Sequence, residues 1–389
     1  MRYAIVTETY PPEINGVSLT VQGLEHGLRS LGHQVQVIRP RQHQESAALQ
    51  EAITPPEDQL TVRGLPVPRY PSLRFGLPSG RQLRSFWTRA RPDAVYVSTE
   101  GPLGYSAVRV AKQMQIPVVT GFHTRFDDYM SDYGVPFLRP VAESWMRHFH
   151  NRADATLVPT RSLQAQLQDM DFRHVDCLPR AVDCGRFSPS HRDASLRTRW
   201  GLGRHGLAVL FVGRIAAEKN LQLTVEAFRA LQMHRPDAQF IWIGDGPKRE
   251  ALAQANPDFI FTGILRGDEL ATVIASTDLF PFASKSETFG NVTLEAMASG
   301  VATVAFDYGA AHEFLRHRIH GAVVPLDKDA AFVDAVVQLG LDDAKRSAMG
   351  LAARQAMEKL RPEQVAADLD QLMSNLVQKR VPNEKAALA

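Results

Sequence analysis

The sequence predicts an α/β protein made of two Rossmann-like domains, each a parallel sheet wrapped by helices. Short apolar runs of strand length alternate with helical stretches from end to end, as parallel strands with crossover helices require. The alternation restarts after the polar, glycine-rich segment Leu202-Gly203-Arg204-His205-Gly206. A chain of 389 residues also exceeds one ordinary core and suits two domains of about 150–200 residues.

In the first half, strands are expected at Ala4–Thr7, Gln34–Ile38, Ala94–Val97, Val118–Gly121, Ala155–Val158 and Val175–Leu178. Helices are expected over Val17–Leu31, Leu103–Gln115, Pro136–Asn151 and Ser162–Asp169. A linker falls near Pro179–Arg204. The second set of strands is Leu207–Val212, Gln239–Ile243, Phe259–Phe261, Leu279–Phe282, Val301–Ala305 and Ala322–Val324. Its helices are Leu221–Leu231, Lys248–Gln254, Gly267–Ala275, Leu294–Ser299 and Ala330–Leu339, and Pro362–Gln378 is helical by period.

Composition narrows the function classes. A net charge of only +2 implies no global field for nucleic acid, so no nucleic-acid partner is expected. No window approaches a membrane-spanning apolar run. The N-terminus enters Tyr3-Ala4-Ile5-Val6 without a secretory apolar region, so a cytoplasmic location is expected. Cys177 and Cys184 are too few for a disulfide framework or a four-ligand zinc site, and a reduced state is expected.

The densest chemical signal is Ser286-Glu287-Thr288-Phe289-Gly290-Asn291-Val292-Thr293-Leu294-Glu295-Ala296. It follows the apolar run Leu279–Phe282, so it lies at the strand end where open α/β sheets bind ligands. Gly290 admits close backbone approach, and Val292–Ser299 has helical composition with Gly300 as its stop. A loop-to-helix junction aims N–H groups at an anion. If both glutamates were helical, Glu295 would lie roughly 12 Å beyond Glu287 on one face. The plain alternative is a solvated pair of acids.

Three other strand ends carry candidate groups. After the first strand, Thr9-Tyr10-Pro11-Pro12-Glu13-Ile14-Asn15-Gly16-Val17 is either an ordinary turn or a place where Gly16 leaves room for a diphosphate. It is not the three-glycine dinucleotide fingerprint, which argues against NAD or FAD. His123 follows Val119-Thr120-Gly121-Phe122, as a packed histidine or a functional one. In Leu210-Phe211-Val212-Gly213-Arg214-Ile215-Ala216-Ala217-Glu218-Lys219, a fork-shaped cation and a compact one follow a strand, either solubilising or gripping a diphosphate. Asp169-Met170-Asp171 and Asp368-Leu369-Asp370 are too short to argue for a metal, and Gly244-Asp245-Gly246-Pro247 reads as a turn.

The glutamate–seven–glutamate spacing resembles the motif of retaining glycosyltransferases with the GT-B fold, most closely glycosyltransferase family 4. Gly121-Phe122-His123-Thr124 and Ala153–Thr160 look most like its glycolipid-forming and alpha-mannosyl-transferring members. The resemblance covers essentially the whole chain. It implies a GT-B fold with two Rossmann-like domains facing an interdomain cleft: residues 1–185 bind the acceptor, 186–361 bind the donor, and 362–389 form a helix crossing back to the first domain. It implies transfer of a hexosyl unit from UDP-hexose or GDP-mannose to a lipid or glycolipid hydroxyl, with an α-linkage and no metal or other cofactor. Glu295 would hold the ribose, Glu287 the donor sugar, and Arg214 and Lys219 the phosphates. Backbone at Gly16, Gly290, Asn291 and Val292 would line the diphosphate, and Gly213 would belong to the donor site. Gly263, Ile264 and Leu265 would meet the base, and His123 would position the sugar. Asp127, Asp128 and Tyr129 would shape an acceptor pocket.

Gln59–Pro92 is a separate feature: seven arginines (63, 69, 74, 81, 84, 89 and 91), no acidic residue, and Tyr70, Leu73, Phe75, Leu77, Leu83, Phe86 and Trp87 between them. Such a stretch is expected either to lie on an anionic lipid surface at the inner face of the cytoplasmic membrane or to fold against its own domain. Two other functions remain open: transfer to a soluble glycan, and epimerisation of a nucleotide sugar. A non-catalytic nucleotide-sugar-binding subunit fits the intact glutamates, cations and histidine less well.

Overall fold

The computed structural model describes all residues except 12–15, 42–57, 68–69, 124–138, 286, 288 and 388–389. The chain forms two compact units, Met1–Ala181 with Pro362–Ala389, and Val182–Arg361. The break precedes the expected 185/186 boundary because Val182 and Cys184 join the second unit's core, where Val182 N–H donates to Leu360 O at 2.9 Å.

The first unit runs β1 (Arg2–Val6), α1 (Gly16–Ser30), β2 (Gln34–Pro40), β3 (Gln59–Val62), β4 (Gly64–Val67), β5 (Tyr70–Gly76) and α2 (Gly80–Arg89). It continues with β6 (Ala94–Val97), α3 (Pro102–Gln113), β7 (Val118–Gly121), α4 (Arg139–His150), β8 (Ala155–Val158), α5 (Arg161–Asp169) and β9 (Val175–Cys177). Seven strands form one parallel sheet in the order β3-β2-β1-β6-β7-β8-β9. Both faces are covered, so β1 is buried from Tyr3 to Val6: Ala4 and Val6 enter one core layer, Tyr3 and Ile5 the other.

The basic, aromatic segment folds against its own domain, the second of the two courses expected of it. It supplies edge strand β3, an antiparallel hairpin of β4 and β5, and α2. Leu83, Phe86 and Trp87 are buried with Ala4, Val6, Val95 and Val97, so these apolar side chains are core anchors unavailable to a lipid surface. Arg63, Arg81, Arg84, Arg89 and Arg91 stay exposed.

The second unit runs α6 (Ala194–Arg199), β10 (Ala208–Val212), α7 (Leu221–Gln232), β11 (Gln239–Ile243), α8 (Arg249–Ala255), β12 (Ile260–Gly263) and α9 (Gly267–Ala275). Then come β13 (Leu279–Phe282), α10 (Asn291–Ala298), β14 (Ala302–Phe306), α11 (Gly309–Phe314), β15 (Gly321–Val324), α12 (Asp329–Leu341) and α13 (Asp343–Met357). Its six strands are parallel in the order β12-β11-β10-β13-β14-β15. The order reverses at β10, and the crevice beyond strand ends at such a switch point is where doubly wound sheets bind ligands. Pairing is thin there: β10 meets β13 at Val209–Leu279 alone, against five residue pairs with β11.

The last helix, α14 (Pro362–Ala387), belongs to the first unit. Val365, Leu369 and Met373 enter the core holding Tyr3, Ile5, Leu24 and Leu28. Gly27 of α1 permits the approach, since a Cβ there would stand 2.3 Å from Ala366 Cβ. Asp370 accepts from Tyr3 Oη at 2.5 Å and lies 3.0 Å from His33 Nε2, so this acid of the second Asp-x-Asp run is a structural tie.

Candidate active site

In the second unit, loops after adjacent strands are stitched into one layer at the carboxyl end of the sheet. Gly213 ends β10 at φ +147° and donates to Ile243 O at 3.0 Å. Ile215 N–H donates to Asp245 O at 2.9 Å, and Gly244 N–H to Gly263 O at 2.8 Å. A Cβ on Gly244 would stand 2.0 Å from Gly213 O, and one on Gly246 2.5 Å from Ile215 O. The Gly244–Gly246 turn therefore fixes the cation loop through backbone contact. Paired glycines at a strand end were its only sequence signal.

The cations follow at once. Arg214 leaves 52% of its side chain exposed and reaches Glu218 at 3.4 Å. Lys219 closes a 3₁₀ turn before the left-handed Asn220 (φ +53°) that starts α7. Two links then cross from this loop to the one after β13: Lys219 Nζ bonds Glu287 Oε1, and Asn220 Nδ2 donates to Ala283 O at 3.3 Å. The two loops flank the switch point, so a lysine and a carboxylate sit together there.

Glu287 is in the loop, not on α10. Gly290, at φ +91°, turns the chain before the helix starts at Asn291, so helical spacing does not align the two glutamates. Gly290, which has no side chain to cap with, is the N-cap of α10, and Asn291 and Val292 form its first turn. Phe289 O accepts from Ala310 N–H of α11 at 2.7 Å, which braces the turn. Gly300, at φ +73°, terminates the helix as expected. Glu295, a little over one turn into α10, is half-buried. Burial alone pushes that carboxyl from 4.5 up to about 7. Gly263 (φ +74°) ends β12, and the 62% exposed Ile264 and half-buried Leu265 follow it on the same end of the sheet.

In the first unit, Gly16 begins α1, and its carbonyl accepts from Thr20 Oγ1 at 2.7 Å. His123 follows β7. Its Nε2 is 2.7 Å from Tyr96 Oη of β6, while its buried Nδ1 has no partner among the described residues. Burial, then Arg180 and His150, lower its pKa from 6.5 to about 3. Arg180, itself buried, donates from Nη2 to His123 O at 3.5 Å. Tyr96 and Arg180 escaped sequence reading because a tyrosine in an apolar strand and a lone arginine carry no local signature. Asp127, Asp128 and Tyr129 lie outside the described residues. Cys177 and Cys184 are both free thiols. Among the described residues, no helix is long and apolar enough to cross a membrane.

Two parallel Rossmann-like sheets and this arrangement of groups define a glycosyltransferase of the GT-B fold that transfers a hexosyl unit. Residues 14–186 match the family described as Glycosyltransferase Family 4, and residues 206–342 match Glycosyl transferases group 1. The chain is 33% identical over 371 residues, 92% of each chain, to the GDP-mannose-dependent alpha-mannosyltransferase of Mycobacterium tuberculosis. It is 25% identical to the alpha-monoglucosyldiacylglycerol synthase of Streptococcus pneumoniae, covering 85% of this chain and 77% of that one. Sucrose-phosphate synthase from Thermosynechococcus elongatus superposes with a TM-score of 0.77 at 18% identity, over 97% and 99% of the two chains. The protein belongs to glycosyltransferase family 4.

Proposed function

We propose that the protein transfers an α-mannosyl unit from GDP-mannose to a hydroxyl of a lipid or glycolipid, retaining the anomeric configuration. The observation that carries this reading is the joined pair of loops at the β10/β13 switch point, which bring Lys219 beside Glu287. Lys219 and Arg214 take the diphosphate, with the α10 N-terminus at Gly290, Asn291 and Val292 and the backbone of Gly213 and Gly16 completing its lining. Glu287 takes hydroxyls of the sugar and Glu295 those of the ribose. Gly263, Ile264 and Leu265 meet the base, and His123 positions the sugar. Cationic side chains and oriented N–H groups stabilise the leaving diphosphate, so the reaction is expected to run without a metal. A same-face displacement, in which the leaving phosphate accepts the acceptor's proton, fits a site without an evident nucleophile.

The choice of GDP-mannose rests on the 33% identical mycobacterial relative, and the lipid acceptor on the relative named for diacylglycerol. An acceptor at a membrane surface is supported by the exposed arginines of Gln59–Pro92 and by Val141 and Trp145 of α4, exposed by 65% and 44% and four residues apart on one helix face. A peripheral position on the cytoplasmic side of a membrane is part of the same proposal. Incubation with a panel of nucleotide sugars, with and without lipid extract, tests the assignment. Mannose from GDP-mannose should appear in the lipid phase only. Mannose in a soluble glycan would replace the acceptor, and conversion of a donor without any acceptor would identify an epimerase.

A further inference from the structure

We propose that Lys219 is also a positioning residue for Glu287, so that a single ammonium group couples recognition of the donor's diphosphate to recognition of its sugar. The inference rests on the donor reading above, with Lys219 on phosphate and Glu287 on sugar hydroxyls. Both residues belong to the second unit, and each side chain remains open to solvent in part, 20% for Lys219 and 17% for Glu287.

The backbone on either side of Glu287 is braced. Asn220 Nδ2 donates to Ala283 O at 3.3 Å, and Ala310 N–H donates to Phe289 O at 2.7 Å. The carboxylate has no such double hold. Two glycines flank its stem: a Cβ on Gly290 would stand 3.6 Å from Glu287 Cγ, and one on Gly309 3.8 Å from Glu287 Cβ. Neither brings a polar side chain. Among the described residues, the Lys219 ammonium is the one hydrogen-bonding partner of the carboxylate. Fixing a long glutamate side chain costs rotamer entropy, which a partner must offset. Lys219 is itself well anchored for this. It closes the 3₁₀ turn Ala217–Lys219, its N–H donates to Ala216 O at 3.1 Å, and the left-handed Asn220 follows it.

The bond can persist with a nucleotide sugar in place. An ammonium has three N–H donors, and a carboxylate has two oxygens that each accept more than once. Lys219 gives one donor to Oε1 and keeps the others for phosphate. Oε2, without a partner among the described residues, is left for sugar hydroxyls. The lysine's charge also stands between two anions, because the carboxylate and the diphosphate would otherwise repel each other across one phosphosugar linkage. Losing Lys219 therefore harms recognition of both halves of the donor.

The test is a double-variant cycle on the full chain, read by calorimetry with GDP and GDP-mannose. Glu287→Gln should weaken GDP-mannose about tenfold and leave GDP within about threefold. Lys219→Met should weaken GDP about tenfold but GDP-mannose about a hundredfold, because it removes one contact and releases another. The double variant should bind GDP-mannose no more weakly than Lys219→Met alone. GDP carries more negative charge than GDP-mannose, so a lysine acting on phosphate alone would show the opposite bias. Equal loss for both ligands in Lys219→Met, with about a further tenfold loss for GDP-mannose in the double variant, overturns the coupling and leaves the donor site standing. Folded variants that bind both ligands as the wild type does refute the donor site itself. Thermal unfolding establishes that each variant is folded, and Lys219→Gln replaces Lys219→Met if the latter is not. A wild type that binds neither ligand refutes the choice of GDP-mannose, and the cycle is then run with the nucleotide sugar that the panel identifies.

Discussion

Replacing Glu295 by glutamine should move folding stability and donor affinity in opposite directions. Burial lifts this carboxyl from 4.5 to about 7, which at ~1.4 kcal/mol per tenfold change in proton affinity amounts to about 3 kcal/mol at most. The folded protein holds the proton more tightly than the unfolded chain. Ionising Glu295 therefore costs nothing below pH 4.5, costs progressively more as pH rises towards 7, and costs its full amount above that. Glutamine fills the same space without a charge. Glu295→Gln should thus match the wild type near pH 4 and exceed it at pH 8, where about 3 kcal/mol corresponds to roughly 5–10 °C in the unfolding midpoint of this unit. Donor affinity should behave in the reverse manner. If the carboxylate accepts from ribose hydroxyls, its loss weakens binding about ten- to a hundred-fold. Wild-type affinity should also rise as pH increases through about 7, a dependence the variant lacks. GDP-mannose is the right ligand for calorimetry, because its diphosphate diester does not itself titrate there. A variant less stable than wild type at pH 8, or a stability gap that ignores pH, would refute the argument.

The other expectations address separate parts of the site. Arg214→Ala should weaken GDP-mannose binding about tenfold or more without lowering the unfolding temperature, as its side chain is half exposed and among the described residues reaches Glu218 at 3.4 Å; unchanged affinity by calorimetry would remove it from the donor site. Transfer should persist in excess EDTA, and loss on chelation reversed by magnesium or manganese would require a metal. Trp87→Ala should cost about 3–5 kcal/mol in denaturant unfolding because Trp87 is a core side chain, whereas replacing the exposed Arg81, Arg84 and Arg89 by Ser should spare stability and reduce sedimentation with anionic vesicles at low salt. Equal sedimentation of that triple variant and wild type would exclude this face as the lipid contact.

Sequence alone determined the α/β class and most strand positions. Ala94–Val97, Val118–Gly121, Ala155–Val158, Gln239–Ile243 and Leu279–Phe282 are found at their expected bounds, because strands buried on both faces must be locally apolar. The candidate donor groups were legible for a related reason: glycine, cation and carboxylate punctuate the ends of those strands, where backbone must turn. Tertiary structure decided the rest. Leu83, Phe86 and Trp87 form an apolar helix stripe that reads the same whether it meets lipid or core, and only the docking of α2 beneath β1 and β6 resolves it. Strands β4 and β5 carry Pro66 and Pro71, which erase the alternation that marks a strand. Glu287 leaves the helix because Gly290 turns at positive φ, a conformation glycine permits but does not announce. Tyr96 is indistinguishable from its apolar neighbours until β6 lies beside β7 and its hydroxyl meets His123. Local chemistry fixes what each segment can become, while the partner of a buried polar atom is settled only when distant strands are laid side by side.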